Sequence, residues 1–452
     1  MAKTKGRKRK TSSAPPRTYL KRLVLGVLLL ALLGLASQEA YSSWKVQHTP
    51  PAPAPKPAAH HTTAFKPPDG EGMVTSVEQV TQYSPTQVLA LAKQNYGTEI
   101  TVPTYAVTQV LFTYTSLGPD NRLVTVTARA YLPQTTHAPI LAMAPGTTGL
   151  GNQCAASLEQ PAVRNWANYE SHMMAYANQG YAGVITNYQV LGNPPSIQPY
   201  MVGVLEGRAV LDSVRALEQL PQAKGILDTG HIFAAGYSQG GHAAYWADTI
   251  NASYAPDIHL SGIIGWGPVM DVTESLADIT RGSTLDWFGP DVMVSYAAYY
   301  GTSYPVNNIL LPKWQASLGT DVLSHCIDSD IAFWGTKPEN VYTPQFIAAL
   351  KTGSLPAAQF GDLGAQMAAN QTGNEHTTTP KLINQGQLDN VVLPAQQEAA
   401  IKRVCANSIG PAQLKLYPKS THYTVMHDSF RDTLAWMSQI THHTGTPPTS
   451  CS

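Results

Sequence analysis

The sequence predicts an α/β fold, a mostly parallel sheet flanked by helices, with an inserted helical cap. Three observations carry that expectation. From residue 138 onward, apolar runs of strand length alternate with segments of helical periodicity, as in sheets built through crossover connections. At 232–248 a strand-like run, a tight turn and a helix-prone run follow one another without a spacer. Between about 271 and 378 the alternation stops, and it resumes at Lys381.

Taken in order, the first expected element is a short helix through Lys93, capped by Ser84 with Pro85 at its first position. Runs 106–114 and 123–132 read as strands of an antiparallel hairpin, because Gly118 and Pro119 punctuate the loop between them. Residues 139–144 form a buried strand that ends in Pro145-Gly146-Thr147-Thr148-Gly149. Helical residues 166–178 lead into a strand at 181–186. The stretch 201–220 carries Val204, Ala209, Val210, Leu211, Val214 and Leu217 at helical spacing. Strand 232–235 and its helix follow, then strand 260–266. The segment 271–378, rich in Trp, Tyr and Met, reads as a helical cap over the active site. Strands at 381–386 and 413–417 and a last helix at 428–440 close the domain. The expected division is a basic segment 1–22, an apolar segment 23–36, a proline-rich linker 37–72, a first core portion 73–270, the cap 271–378, a second core portion 379–445 and a tail 446–452.

Charge is balanced over the 452 residues but unevenly placed. Residues 1–22 hold nine Lys and Arg and no acid, leaving 20 basic residues against 29 acidic ones in the remainder. The basic cluster abuts a 14-residue apolar run, 23–36, so positive-inside membrane topology explains it better than nucleic-acid binding. As a helix that run spans about 21 Å at roughly 1.5 Å per residue, the length of a signal-peptide core rather than a full membrane span. The proline-rich stretch after it stays extended and suits a tether, so the expected location is exported, either held at the membrane by the N-terminal segment or secreted. Four cysteines, all beyond the export segment, agree with an oxidising compartment and allow three pairings. Cys154 and Cys326 flank the central motif while Cys405 and Cys451 bracket the C-terminal stretch, which favours pairing them in that way.

The chemistry centres on Gly236-Tyr237-Ser238-Gln239-Gly240. Gly-x-Ser-x-Gly between a strand and a helix is the context of a nucleophile elbow, whose strained turn brings strand and helix too close for a Cβ. The alternative is an ordinary glycine turn. A serine hydroxyl needs an adjacent base oriented by an acid, and in this architecture they follow in the order Ser, Asp, His, each just past a strand. Asp389 lies in the loop after strand 381–386, whereas Asp362 and Glu375 fall inside the expected cap or at its exit. His422 lies in the loop after strand 413–417, and His427, nearer the last helix, is its competitor. His242 reads as a packing side chain, and His60-His61 and His442-His443 as solvated pairs. No spacing suggests a metal site. A tetrahedral intermediate needs two donors at its oxyanion. The backbone N–H of Gln239 supplies one, and Thr147, with Thr148 as runner-up, the other.

These residues carry a resemblance. The elbow Gly236-Tyr237-Ser238-Gln239-Gly240-Gly241, the Pro145-Gly146-Thr147-Thr148-Gly149 loop shortly before Cys154-Ala155-Ala156-Ser157, the large insertion after Trp266 and Gly386-Gln387-Leu388-Asp389 resemble the secretory lipase family of α/β-hydrolases, over roughly 75–445. The resemblance implies an α/β-hydrolase fold, with Ser238 as nucleophile, Asp389 as acid, His422 as base and 271–378 as a cap shaping an acyl tunnel. It implies the same disulfides, Cys154–Cys326 and Cys405–Cys451. The N-terminal anchor and proline-rich tether depart from the family pattern. The expectation is an exported serine carboxylic-ester hydrolase, a lipase or esterase acting on acyl esters or lipids, with no metal or organic cofactor and no nucleic-acid partner. The alternatives are an acyltransferase with the same three residues, or a surface-tethered binding protein on a hydrolase scaffold.

Overall fold

The computed structural model describes residues 70–190 and 197–451. The basic segment, the apolar segment and the proline-rich stretch up to residue 69 lie outside the described residues. Nine strands form one sheet: β1 (Val74–Tyr83), β2 (Val107–Leu117), β3 (Leu123–Pro133), β4 (Ala138–Ala144), β5 (Ala182–Thr186), β6 (Leu227–Tyr237), β7 (Leu260–Trp266), β8 (Lys381–Gly386) and β9 (Ala412–Tyr417). Their spatial order is β1-β2-β3-β5-β4-β6-β7-β8-β9. Strands β1, β2 and β3 pair antiparallel, and β3 lies antiparallel to β5. From β5 to β9 every pairing is parallel. The expected hairpin is present, its register running from Val107 opposite Pro133 to Leu117 opposite Leu123.

Helices fill the crossovers. In the first half these are α1 (Pro85–Tyr96), α2 (Tyr169–Asn178), α3 (Gly203–Gln219) and α4 (Gln239–Tyr254). Ser84 and Gln87 cap α1 reciprocally, so two of its free amide donors are satisfied from the start. Between β7 and β8 lie α5 (Val272–Asp278), α6 (Phe288–Tyr300), α7 (Val306–Ile309), α8 (Pro312–Gln315), α9 (Leu318–Ser324), α10 (Ile327–Trp334), α11 (Pro344–Thr352), α12 (Ala357–Phe360) and α13 (Leu363–Ala369). Helices α14 (Pro394–Asn407), α15 (Val425–Asp428) and α16 (Phe430–Thr441) complete the chain.

Three expectations need correction. The first element expected from the sequence is the helix after Ser84, but β1 precedes it as an edge strand within the expected core portion; most of its side chains face solvent, so it carries little apolar signal. Helix α2 begins at Tyr169 rather than 166, because Asn168 adopts φ +52° and its side chain accepts from the Ser171 amide. The last helix is broken at Ser429 into α15 and α16.

The buried apolar residues form three groups. One packs α3, α4 and α14 against the sheet, and a second packs α1, α2 and α16. The third joins the helices between β7 and β8 to Leu150, Tyr200, Val391 and Val392, which lie in loops that leave the sheet. All four cysteines are used, in disulfides Cys154–Cys326 and Cys405–Cys451. The first ties the loop after β4 to α10 across 172 residues of sequence. Among the described residues no helix is long and apolar enough to cross a membrane.

Asp286, just before α6, is fully buried, and neither carboxylate oxygen has a hydrogen-bond partner among the described residues. Burial, then the nearby Glu339 charge, pushes its carboxyl up to about 7. A carboxyl raised on folding favours the folded state most where it is protonated, so this contribution is present below the ordinary carboxylate range and is lost as pH rises through about 7. Asp286→Asn should therefore raise the thermal midpoint at pH 8 and leave it nearly unchanged at pH 4. Calorimetry of both proteins at the two pH values checks the sign.

Candidate active site

Strand β6 ends at Tyr237 and α4 begins at Gln239, leaving Ser238 to make the whole bend. It does so at φ +55°, ψ −114°, a conformation that costs energy for a residue with a Cβ. The surroundings leave no alternative path. A Cβ on Gly236 would lie 1.9 Å from the Gly240 carbonyl oxygen, and one on Gly240 would lie 2.0 Å from that of Ala144. The main chains of β4, β6 and α4 are in direct contact there. The Ser238 amide donates to Trp266 O at 2.9 Å, and the Ser238 carbonyl accepts from Gly241 N at 3.0 Å and Val269 N at 3.2 Å, which fixes the bend to the end of β7.

Because β6, β7, β8 and β9 are parallel neighbours, the loops that follow them emerge along one edge of the sheet. Asp389, in the loop after β8, accepts the amides of Val391 and Val392 on Oδ1, both at 2.9 Å, and Gln385 Nε2 on Oδ2 at 3.1 Å. The same Oδ2 stands 2.7 Å from His422 Nδ1. With Nδ1–H directed at the carboxylate, a neutral imidazole presents Nε2 as its acceptor. The His422 ring lies against the Tyr237 ring, centroids 4.9 Å apart, which holds it beside the elbow. Gly267 packs close: a Cβ there would be 3.0 Å from His422 Nδ1 and 3.2 Å from Asp389 Oδ2. Ser238, Asp389 and His422 are 8, 4 and 3% exposed. No hydrogen bond joins Ser238 Oγ to His422 among the described residues; such contacts commonly tighten only when substrate is bound. His427 is elsewhere, its Nδ1 at 2.7 Å from Asp428 and its ring against Tyr96.

The loop after β4 runs beside this bend, since a Cβ on Gly146 would lie 2.7 Å from the Tyr237 ring. Gly146 N donates to Tyr169 Oη at 2.7 Å, and Thr147 Oγ1 meets Tyr200 Oη at 3.0 Å. Burial, then the charge of Asp291, pushes the Tyr200 phenol well up, so it stays a neutral partner for Thr147. Thr148 O accepts the Ile327 amide at 3.1 Å, and Gly149 abuts the Cys154–Cys326 disulfide. Among the described residues the amides of Gln239 and Thr147 meet no protein acceptor. Nor do three or more His, Cys, Asp or Glu side chains of the described residues gather where they could hold a metal ion.

Two features escape the sequence reading. The Asp389 carboxylate depends on Gln385 and on the amides of its own loop, neither of which carries a motif. His242 does more than pack: it is wholly buried and its Nδ1 is 2.5 Å from Glu206 Oε2. The available signal is Glu206 itself, an acid beside Leu205 and four residues before Val210 on the apolar face of α3, where a buried carboxylate requires a partner.

The arrangement can activate a serine hydroxyl through an oriented imidazole and can present amide donors to an oxyanion. The elbow tolerates no Cβ at its glycines, so Gly236→Ala should cost about 3 kcal/mol or more and abolish whatever chemistry depends on Ser238. Chemical denaturation together with activity of the soluble fraction measures both.

Comparison with known proteins bears on the same region. The family described as "Secretory lipase" matches residues 166–300. Lipase 1 of Candida albicans is 29% identical over 168 residues, covering 36% of this chain and 34% of the relative. Secreted triacylglycerol lipase LIP5 of Malassezia furfur is 28% identical over 187 residues, covering 39% and 46%. The chain thus spans about a third to a half of the length of these curated relatives. Among solved structures, the ligand-bound rice cell wall degrading esterase LipA of Xanthomonas oryzae superposes with a TM-score of 0.64 at 20% identity, covering 82% of this chain and 96% of the other. Candida antarctica lipase A in its closed state gives 0.59 at 18% identity, covering 84% and 86%. At such identities the structures bear on fold alone. The chain has the α/β-hydrolase fold and, over residues 166–300, the sequence character of the secretory lipase family.

Proposed function

We propose that this chain is a serine carboxylic-ester hydrolase of the lipase or esterase kind, working through an acyl-enzyme on Ser238. The observation that carries the reading is the 2.7 Å contact between Asp389 and His422 at the sheet edge where Ser238 occupies its strained bend. In this mechanism His422 Nε2 takes the Ser238 proton as Oγ attacks the ester carbonyl carbon. The amides of Gln239 and Thr147 donate to the oxygen that becomes negative. Collapse of the tetrahedral intermediate breaks the bond to the alcohol, which leaves with the proton held by His422. A water then gives its proton to His422, attacks the acyl carbon and releases the acid, restoring Ser238. Asp389 keeps Nδ1 protonated throughout and stabilises the imidazolium.

The substrate class follows from the relatives, which are named as lipases, and is an acyl ester or lipid. In this reading the helices of 271–378 cover the sheet edge and shape the acyl site, consistent with the apolar group they share with Leu150, Val391 and Val392. Export is supported by the two disulfides and by the basic-then-apolar order of residues 1–36, which serve as signal or anchor ahead of the proline-rich linker.

Ser238→Ala should reduce kcat on p-nitrophenyl esters by about 10⁶-fold, the loss seen when the nucleophile of a comparable serine enzyme is removed. A series from short to long acyl chains then separates esterase from lipase. Retention of near-wild-type turnover by the variant contradicts the reading. Ester products formed only with an alcohol acceptor would assign acyl transfer instead, and a folded wild type inert on every ester would point to binding.

A further inference from the structure

The first turn of α4 carries a second set of buried polar side chains that the mechanism above does not use. Glu206, on α3, is wholly buried, as are Gln239 and His242 on α4. Glu206 Oε1 accepts Gln239 Nε2 at 2.7 Å and the Met201 amide at 3.0 Å. Glu206 Oε2 meets His242 Nδ1 at 2.5 Å, and His242 Nε2 meets the Asn370 carbonyl at 2.7 Å. Each ring nitrogen therefore faces an oxygen. A neutral imidazole has one N–H, so the carboxyl and the ring must share one further proton between them. Oε1 thus takes two N–H donors while Oε2 meets the His242 ring.

Such a pair is a poor means of adding stability, because its hydrogen bonds replace ones that both groups make to water in the unfolded chain. What it supplies is direction. Gln239 is the residue whose backbone N–H is the first oxyanion donor, and its side chain ends on Glu206. Asn370, the other anchor, follows α13; it accepts the Gly203 amide on Oδ1 at 2.9 Å and donates to Tyr300 Oη at 2.8 Å. The start of α4 is thus held from α3 on one side and from the segment between β7 and β8 on the other.

Resting on the hydrolase reading given above, we propose that Glu206 and His242 are positioning residues for the oxyanion donor. They hold Gln239 by its side chain so that its amide points at the place where charge develops on the ester oxygen. The variants that test this are Glu206→Gln, His242→Gln and Gln239→Met, the last of which keeps the pair and removes only its link to the elbow. Each should lower kcat on p-nitrophenyl butyrate about 10- to 100-fold with KM little changed, since a displaced donor weakens the transition state more than the bound ester. The Ki of an alkyl trifluoromethyl ketone, which forms a tetrahedral oxyanion on the serine, should rise by the same factor as kcat falls. Glu206→Gln combined with His242→Gln should be no worse than either alone, because the two act as one unit.

Rates are taken per folded molecule, so a change in stability alone leaves kcat and Ki in place. If Gln239→Met, or either pair variant that folds, keeps kcat and Ki within twofold of wild type, the positioning role is overturned. A kcat loss without the matching rise in Ki overturns it as well. Wild type without ester hydrolysis, or Ser238→Ala with undiminished hydrolysis, would instead overturn the hydrolase reading beneath it.

Discussion

The structure depends on one steric constraint: three main-chain segments meet at a point with no room for a side chain. The end of β4, the end of β6 and the start of α4 touch through Gly236, Gly240 and the Ala144 carbonyl. Ser238 is the single residue left between β6 and α4, and it adopts φ +55° to make the bend. That contact sets where the serine hydroxyl projects. It sets the direction in which α4 presents its first amides, and it brings the loop after β4 alongside. Energy stored in an unfavourable bend is retained because the neighbouring strands over-determine it.

The parallel half of the sheet then does the assembling. Residues 238, 389 and 422 are far apart in sequence, yet each follows a strand of one parallel run, so a common edge gathers their loops. The loops are stiffened by different means. The one after β8 wraps its own amides around Asp389, while the one after β4 is pinned by Tyr169, Tyr200 and the Cys154–Cys326 disulfide. The disulfide and the Thr148–Ile327 hydrogen bond connect that loop to α10. Polar groups at the start of α4 connect to Asn370. The segment between β7 and β8 is therefore tied to the loop after β4 and to the start of α4, which border Ser238.

How much of this could be read from the sequence follows from the range of each interaction. The elbow is legible because its glycines are nearly consecutive and one of its close contacts, Gly236 with Gly240, is local, although the contact of Gly240 with Ala144 of β4 is not. The central parallel strands are legible because burial on both faces writes apolar runs into the chain, and the hairpin because two strand-like runs flank a loop punctuated by Gly118 and Pro119. Asp389 and His422 can be picked from strand ends, and the structure brings those two side chains together while His427 pairs with Asp428. Strand β1 is hidden because an edge strand with solvent on most of its side chains needs no apolar pattern. The Glu206–His242 pair is hidden because its members lie 36 residues apart and only tertiary packing joins them. Asp286 is hidden for the same reason: its burial is a property of the fold, not of its neighbours in the chain.

The most direct measurement is covalent labelling with a p-nitrophenyl alkylphosphonate, followed by peptide mapping of the adduct and assay of residual ester hydrolysis. Modification of one residue, Ser238, in proportion to lost activity is the expected result, with labelling slowed by orders of magnitude in His422→Ala. A label on another residue, or hydrolysis that survives complete modification of Ser238, would contradict the assignment of Ser238 as nucleophile.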